Sequence, residues 1–146
     1  MISSEKIREK IGSAGIKATL QRVLTYEALL LLDHPTAEQV HDCLTKQHPS
    51  ISLATVYKTL DLFVKSGLID RVETAQGIKR YDYNTKKHNH IYCSNTNEII
   101  DYFDHDLNQL IEEYFKNKKI ENLTIEDIKL QIKGNKTDPK RKITIK

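Results

Sequence analysis

The chain has 146 residues, 38% of them hydrophobic and 29% charged, and a formal net charge of +3. That length holds one good core or two small ones and excludes anything larger, while the small positive balance gives only a weak hint of an anionic partner. The longest apolar run, residues 28–32, is far too short to cross a bilayer and the first residues lack an export pattern, so a cytoplasmic protein with no membrane role is expected.

The spacing predicts a first helix over about 3–14, with Ile2, Ile7 and Ile11 inward and Gly12 and Gly15 loosening its end. Thr19 can cap a second helix whose apolar stripe is Leu20, Val23, Leu24, Ala28 and Leu31, leaving Gln21, Arg22 and Thr25 outside it. His34-Pro35 ends that helix, because a residue before proline is pushed out of the α region. Thr36 then caps a third helix carrying Ala37, Val40, His41 and Leu44, which stops near His48-Pro49. Ser52 opens a fourth, with Leu53, Val56, Leu60 and Phe63 inward, and Gly67 stands where a C-cap glycine is expected. This leaves Ala54, Thr55, Tyr57, Lys58 and Asp61 facing outward.

The period then changes. Residues 68–73 and 78–83 read as strands joined by the turn Thr74-Ala75-Gln76-Gly77. Helices followed by a hairpin are the order of a winged helix-turn-helix, although an α+β domain of unrelated purpose has the same order. After a hinge at Asn84-Thr85-Lys86-Lys87 come strands over 90–93 and 98–103 around Ser94-Asn95-Thr96-Asn97, and then a helix over 105–118. In a last strand Ile128, Leu130 and Ile132 alternate with Lys129, Gln131 and Lys133. Leu123 and Ile125 lie in the opposite phase, which predicts a bulge or turn at Glu126-Asp127. The expected fold class is α+β, with an N-terminal winged helix-turn-helix domain over 1–84 and a small C-terminal α/β domain over 85–146. The second is too small to be very stable alone, so a second copy is expected to complete it as a dimerisation domain.

A helix that enters the major groove needs small or flat side chains at its amino end and hydrogen-bonding groups behind them. Ser52, Ala54, Thr55, Tyr57 and Lys58 meet that need, with Ser52 and Thr55 placed for phosphate and Tyr57 for bases. Lys17 and Arg22 would reach the DNA backbone or minor groove, as would Lys79 or Arg80 from the wing. A solvated helix face is the competing reading. So few basic contacts make a monomer a weak binder, which a dimer on palindromic double-stranded operator DNA would remedy.

Five side chains have the chemistry of metal ligands: His34 at a helix break, Asp82 at the end of the wing strand, His88 and His90 near the hinge, and Asp101 on the next strand pair. In an extended segment His88 and His90 share one face, a natural chelate. Three imidazoles and two carboxylates without sulfur suit Fe(II) or Mn(II), with Zn(II) a competitor. His41, His48 and His105 have no comparable partners. A metal hydrolase would need a separate general base near these ligands, and Asn89 and Tyr81 are poor ones, so no enzyme is expected.

Together these residues resemble the ferric uptake regulator family of bacterial metal-dependent repressors. The matching pieces are Thr19-Leu20-Gln21-Arg22, His34-Pro35-Thr36-Ala37-Glu38, Ser52-Leu53-Ala54-Thr55-Val56-Tyr57-Lys58-Thr59-Leu60, Gly67-Leu68-Ile69, Arg80-Tyr81-Asp82, His88-Asn89-His90 and Glu98-Ile99-Ile100-Asp101. The resemblance implies a homodimer with a regulatory metal at the junction of its two domains, held by a set similar to His34, Asp82, His88, His90 and Asp101. An aspartate at 101 is similar to the peroxide-sensing branch, and the iron-sensing branch is the alternative. The peroxide branch implies that Fe(II) reacts with hydrogen peroxide, that the oxidant attacks His34 or His88, and that the damaged site loses its metal.

The chain also departs from the family. Many members hold a structural zinc with two CxxC pairs, whereas here Cys93-Ser94-Asn95-Thr96 keeps only one cysteine and none follows Gly134. No four-cysteine zinc is therefore expected, and packing, helped by a tail strand over 142–146, would hold the dimer. A further metal site of the family uses a histidine near Ile128, and none stands there.

Overall fold

Four helices and a hairpin form the first unit, Met1–Thr85, of a computed structural model that describes residues 2–146; Lys86–Lys146 form the second. Ser3 caps α1 (Ser4–Ser13) by accepting the Lys6 amide at 3.3 Å, and only Ile7 and Ile11 of this helix are buried. Thr19 caps α2 (Leu20–Leu31) in the same way, and a reciprocal box between Thr36 and Gln39 starts α3 (Ala37–Thr45). Ser52 caps α4 (Leu53–Lys65), and Gly67 follows it at φ 79°, a left-handed conformation that glycine adopts without steric cost.

The core joins Ile7 and Ile11 to Val23, Tyr26, Leu29, Val40, Leu44, Val56, Leu60 and Phe63. The α4 stripe is buried as the spacing predicts, except that Leu53 is only half-buried. The α2 stripe requires correction. Leu20 and Leu31 are 60% and 62% exposed, whereas Thr25, Tyr26 and Leu29 are buried. This helix carries apolar residues round most of its circumference, so its neighbours select the buried face. Tyr26 meets the edge of the Phe63 ring at 6.2 Å, and Thr25 satisfies its hydroxyl by donating to the Gln21 carbonyl at 2.8 Å.

β1 (Asp70–Glu73) and β2 (Lys79–Asp82) form an antiparallel wing with Asp70 opposite Asp82. The turn between them is a short 3₁₀ segment, Ala75–Gly77, in which Gln76 and Gly77 both have positive φ.

In the second unit β3 (Asn89–Cys93) is the centre of a three-stranded sheet. It pairs antiparallel with β4 (Ile99–Tyr102) and parallel with β5 (Gln131–Gly134). Asp104 caps α5 (His105–Lys116), which buries none of its residues, although Leu110 and Tyr114 give it an apolar side. β5 is shorter than the alternation from Ile128 suggests, because β3 begins at Asn89 and earlier residues have no strand to pair with. The chain turns at Asn122, φ 61°, and not at Glu126-Asp127, and residues 142–146 form no strand. Among the described residues no helix is long and apolar enough to cross a membrane.

Candidate metal centre

Each unit carries part of the predicted ligand set. In the first, His34 lies in the break between α2 and α3 and Asp82 ends β2; both are largely buried, at 9% and 4% exposed. His34 has φ 46°, a left-handed conformation that costs a non-glycine residue about 1–3 kcal/mol. Hydrogen bonds from the wing hold it there. Arg80 Nε donates to the His34 carbonyl, and the Tyr81 amide donates to the Pro35 carbonyl at 2.9 Å. Asp82 Oδ1 accepts the Asn84 amide at 2.9 Å, and Asp82 Oδ2 stands 3.5 Å from His34 Nε2.

In the second unit the β3–β4 register sets His90 opposite Asp101, and the two-residue period of a strand brings His88 to the same face. His88 Nε2 lies 3.1 Å from His90 Nε2 and 3.2 Å from Asp101 Oδ1, and His90 Nε2 lies 3.3 Å from the same oxygen. Phe103 stacks on the His88 ring at 5.1 Å, shielding one side of it.

The hydrogen bonds on Nδ1 decide what these atoms can do. His88 Nδ1 is 2.5 Å from the Lys86 carbonyl, which only accepts, so Nδ1 carries a proton and Nε2 is the nitrogen turned to Asp101. His34 repeats the arrangement, with Nδ1 on Asp33 Oδ1 at 2.6 Å and Nε2 turned to Asp82. Such partners behind an imidazole are the usual support of a metal ligand. A ring nitrogen this close to a carboxylate needs a positive charge between them, and one cation supplies it to every donor at once. Two donors on a cation with bonds of about 2.1 Å lie about 3.0 Å apart at right angles and about 3.4 Å apart in a tetrahedron. Spacings of 3.1, 3.2 and 3.3 Å fall in that range, so the residues present fit a metal ion.

The family's four-sulfur zinc does not fit. The chain has two cysteines, and Cys93 Sγ donates to Asn95 Oδ1 at 2.8 Å. Where a second sulfur pair would be needed, the 94–98 turn and the end of β5 are tied by polar contacts. Asn95 pairs both ways with the Lys136 backbone at 3.1 Å, Ser94 Oγ donates to Asn135 Oδ1 at 2.5 Å, and Lys136 Nζ meets Glu98 Oε1 at 2.6 Å.

On the predicted DNA face Ala54, Tyr57, Lys58 and Lys17 are exposed. Ser52 Oγ contacts Thr55 Oγ1 at 2.9 Å as well as capping α4, and Arg22 Nη1 donates to the Lys17 carbonyl at 2.9 Å. Arg80 is committed to the His34 carbonyl, leaving Lys79 as the exposed one of the two predicted wing cations. Sequence reading passed over Glu38, which accepts the Tyr57 hydroxyl at 2.6 Å. That bond pushes Tyr57 up to about 12 and holds Glu38 below its ordinary value. It also passed over Asp33 and the Lys86 carbonyl; a carboxylate beside His34 was the visible signal for the first, and nothing in the residue types marks the second.

Comparison with known proteins adds three findings. The sequence profile of the ferric uptake regulator family matches residues 13–133. A peroxide-responsive repressor of Staphylococcus aureus is 33% identical over 109 residues, 72% of this chain and 74% of that protein. Among solved structures, the ferric uptake regulator of Vibrio cholerae, described with DNA-binding domains, matches with a TM-score of 0.72 and 27% identity over 88% of this chain and 98% of that one. The Pseudomonas aeruginosa regulator with manganese matches with a TM-score of 0.72 and 26% identity over 94% and 100%.

Proposed function

The chain belongs to the ferric uptake regulator family, and from that premise we propose that it is a homodimeric repressor of palindromic operators, locked by one regulatory ion and released by peroxide. Membership makes it a metal-responsive transcriptional regulator and not an enzyme. In this reading His34, Asp82, His88, His90 and Asp101 share a single cation. The observation that carries it is the pair of Nδ1-anchored imidazoles, His34 and His88, whose Nε2 atoms face Asp82 and Asp101 at 3.5 and 3.2 Å.

Fe(II) held by these residues would supply the electrons that reduce hydrogen peroxide, chemistry that Mn(II) in the same donors would not supply. His34 and His88 would be the imidazoles that take the oxidation. Oxygen added to either ring weakens its Nε2 as a donor, and a cation held by fewer donors dissociates. Asp101 and the likeness to the Staphylococcus aureus peroxide-responsive repressor support peroxide as the signal. An iron-responsive repressor, supported by the likeness to the Vibrio cholerae regulator, would keep the same donors and differ in what removes the ion.

For dimerisation the support is an uncovered apolar surface: Phe103, Leu110, Tyr114, Leu123 and Ile132 are all exposed in a unit of about sixty residues, near the lower limit for independent stability. For DNA it is the amino end of α4, where Ser52, Ala54, Thr55, Tyr57 and Lys58 would meet the major groove, with Lys17, Arg22 and Lys79 on phosphates.

A gel shift on an AT-rich palindrome tests the reading. Binding should require Mn(II) or Fe(II), and peroxide should abolish it in the Fe(II) form alone. Peptide mass spectrometry should then find a gain of about 16 Da on His34 or His88. Binding retained after peroxide with both rings unmodified favours iron supply as the signal, and binding that ignores metal removes the switch altogether.

A further inference from the structure

Residues 87–90 alternate across the start of β3, and the two faces make different contacts. His88 and His90 turn to Asp101. Lys87 and Asn89 turn the other way, to α5 and the segment leading into β5. Lys87 Nζ donates to Asp127 Oδ1 at 2.8 Å and also to the Ile128 carbonyl. Asn89 is 2% exposed and uses both ends of its amide, Nδ2 donating to Asn108 Oδ1 of α5 at 2.9 Å and Oδ1 accepting the Leu130 amide at 3.1 Å. The His90 amide completes the set by donating to the Leu130 carbonyl at 3.3 Å.

Residues 123–130 have neither helix nor strand. Where they have no hydrogen-bond ladder of their own, contacts from outside set their position. Here those contacts come from Lys87, Asn89 and His90. A cavity of about 380 Å³ lies beside them, lined by Lys87, Asn108, Glu112, Lys116, Asp127 and Ile128 among others. The lining carries three carboxylates, Glu112, Glu126 and Asp127, and two ammonium groups, Lys87 and Lys116, of which Lys87 pairs with Asp127 at 2.8 Å.

We propose that Lys87 and Asn89 are positioning residues of the metal switch, carrying a change at the His88 and His90 face to α5 and residues 126–130. The inference rests on the proposed metal role of His88, His90 and Asp101. An ion that fixes the two imidazoles also fixes the backbone between and beside them. Lys87 and Asn89 lie on that backbone and point away, so their amide and ammonium groups come to rest against Asn108, Asp127 and Leu130. The coupling is reciprocal: a held segment favours the histidine geometry that binds the ion.

The test uses the full-length dimer, Mn(II) titration by calorimetry, and backbone amide exchange of residues 126–134 with and without Mn(II). In the native protein Mn(II) should slow exchange of the Leu130 amide. In Lys87→Met, a substitution at a half-exposed position that leaves the core intact, Mn(II) should bind about five- to tenfold more weakly, the lower range of ordinary coupling, and protection at Leu130 should fall with it. Lys87→Arg, which keeps a cation in reach of Asp127, should restore both, whereas loss of mere bulk would not be repaired by charge. Asn89→Asp keeps the acceptor for Leu130 but loses the donor to Asn108, and should separate α5 from the response. A Lys87→Met protein with native Mn(II) affinity and native Mn(II)-induced protection overturns the proposal alone. A native protein that binds no Mn(II) overturns the metal reading and this proposal together.

Discussion

Asn95→Ala should lower the urea midpoint of the metal-free protein by about 0.5–1 M. Asn95 makes two hydrogen bonds to the Lys136 backbone, at 3.1 Å each, and accepts a third from Cys93 Sγ at 2.8 Å. A net intramolecular hydrogen bond contributes about 0.5–1.5 kcal/mol, and exposure of Asn95 puts these at the low end, so about 1–2 kcal/mol is lost in all. With a urea slope of about 2 kcal/mol per molar, the stated shift follows. The measurement is made in EDTA at fixed protomer concentration, because the stability of a dimer depends on it. A His90→Ala background removes a regulatory donor, and in it added Zn(II) should leave the midpoint unchanged. If Zn(II) raises that midpoint by more than Asn95→Ala lowers it, a metal and not the 94–98 hydrogen bonds holds the end of β5, and the reasoning fails.

Phe63→Ala should cost about 3–5 kcal/mol, because the ring is fully buried and leaves a cavity against Tyr26; thermal or urea unfolding reads it. Tyr81→Phe should be neutral or stabilising, since Tyr81 Oη is buried with no hydrogen-bond partner among the described residues. Of the pH effects, Tyr57 should ionise near 12 in an ultraviolet titration and return toward 10 in Glu38→Gln. The sign of its linkage follows from the direction. Tyr57 is raised, so its small contribution is present below the ordinary tyrosine value and lost as pH rises toward 12; Glu38 is lowered, so its share is present above the ordinary glutamate value and lost as pH falls through the folded one. Unchanged Tyr57 titration in Glu38→Gln would remove that link.

What the sequence made legible is what depends on local period. Val56, Leu60 and Phe63 recur at helical spacing and are buried; His88 and His90 alternate as strand residues do and share a face. The caps at Thr19, Thr36 and Ser52 were equally readable, since each acts within three residues of itself. α2 failed because a helix apolar nearly all round carries no phase, and its buried side was chosen by Phe63, far away in the chain. Glu38 and Tyr57 are 19 residues apart and belong to different helices, so no spacing rule links them. Lys87 and Asn89 were overlooked for a different reason. Their neighbours are histidines, and the same alternation that identifies a chelating face also assigns Lys87 and Asn89 to the face behind it, where their partners at Asp127 and Leu130 are about forty residues on.

Coupling of metal to DNA in the proposed switch does not require a long path inside the first unit, because β2 serves both. Within four residues it exposes Lys79, ties Arg80 to the His34 carbonyl, ties Tyr81 to the Pro35 carbonyl and ends at Asp82. His34 pays for its left-handed backbone only while those wing bonds hold it. A phosphate drawn to Lys79 steadies the strand that holds His34 and Asp82 at 3.5 Å. In the proposed switch a cation drawn to His34 and Asp82 would steady the same strand from its other end. In that reading each partner would stabilise the wing geometry that the other needs, and oxidation of His34 would act at the residue with the left-handed backbone.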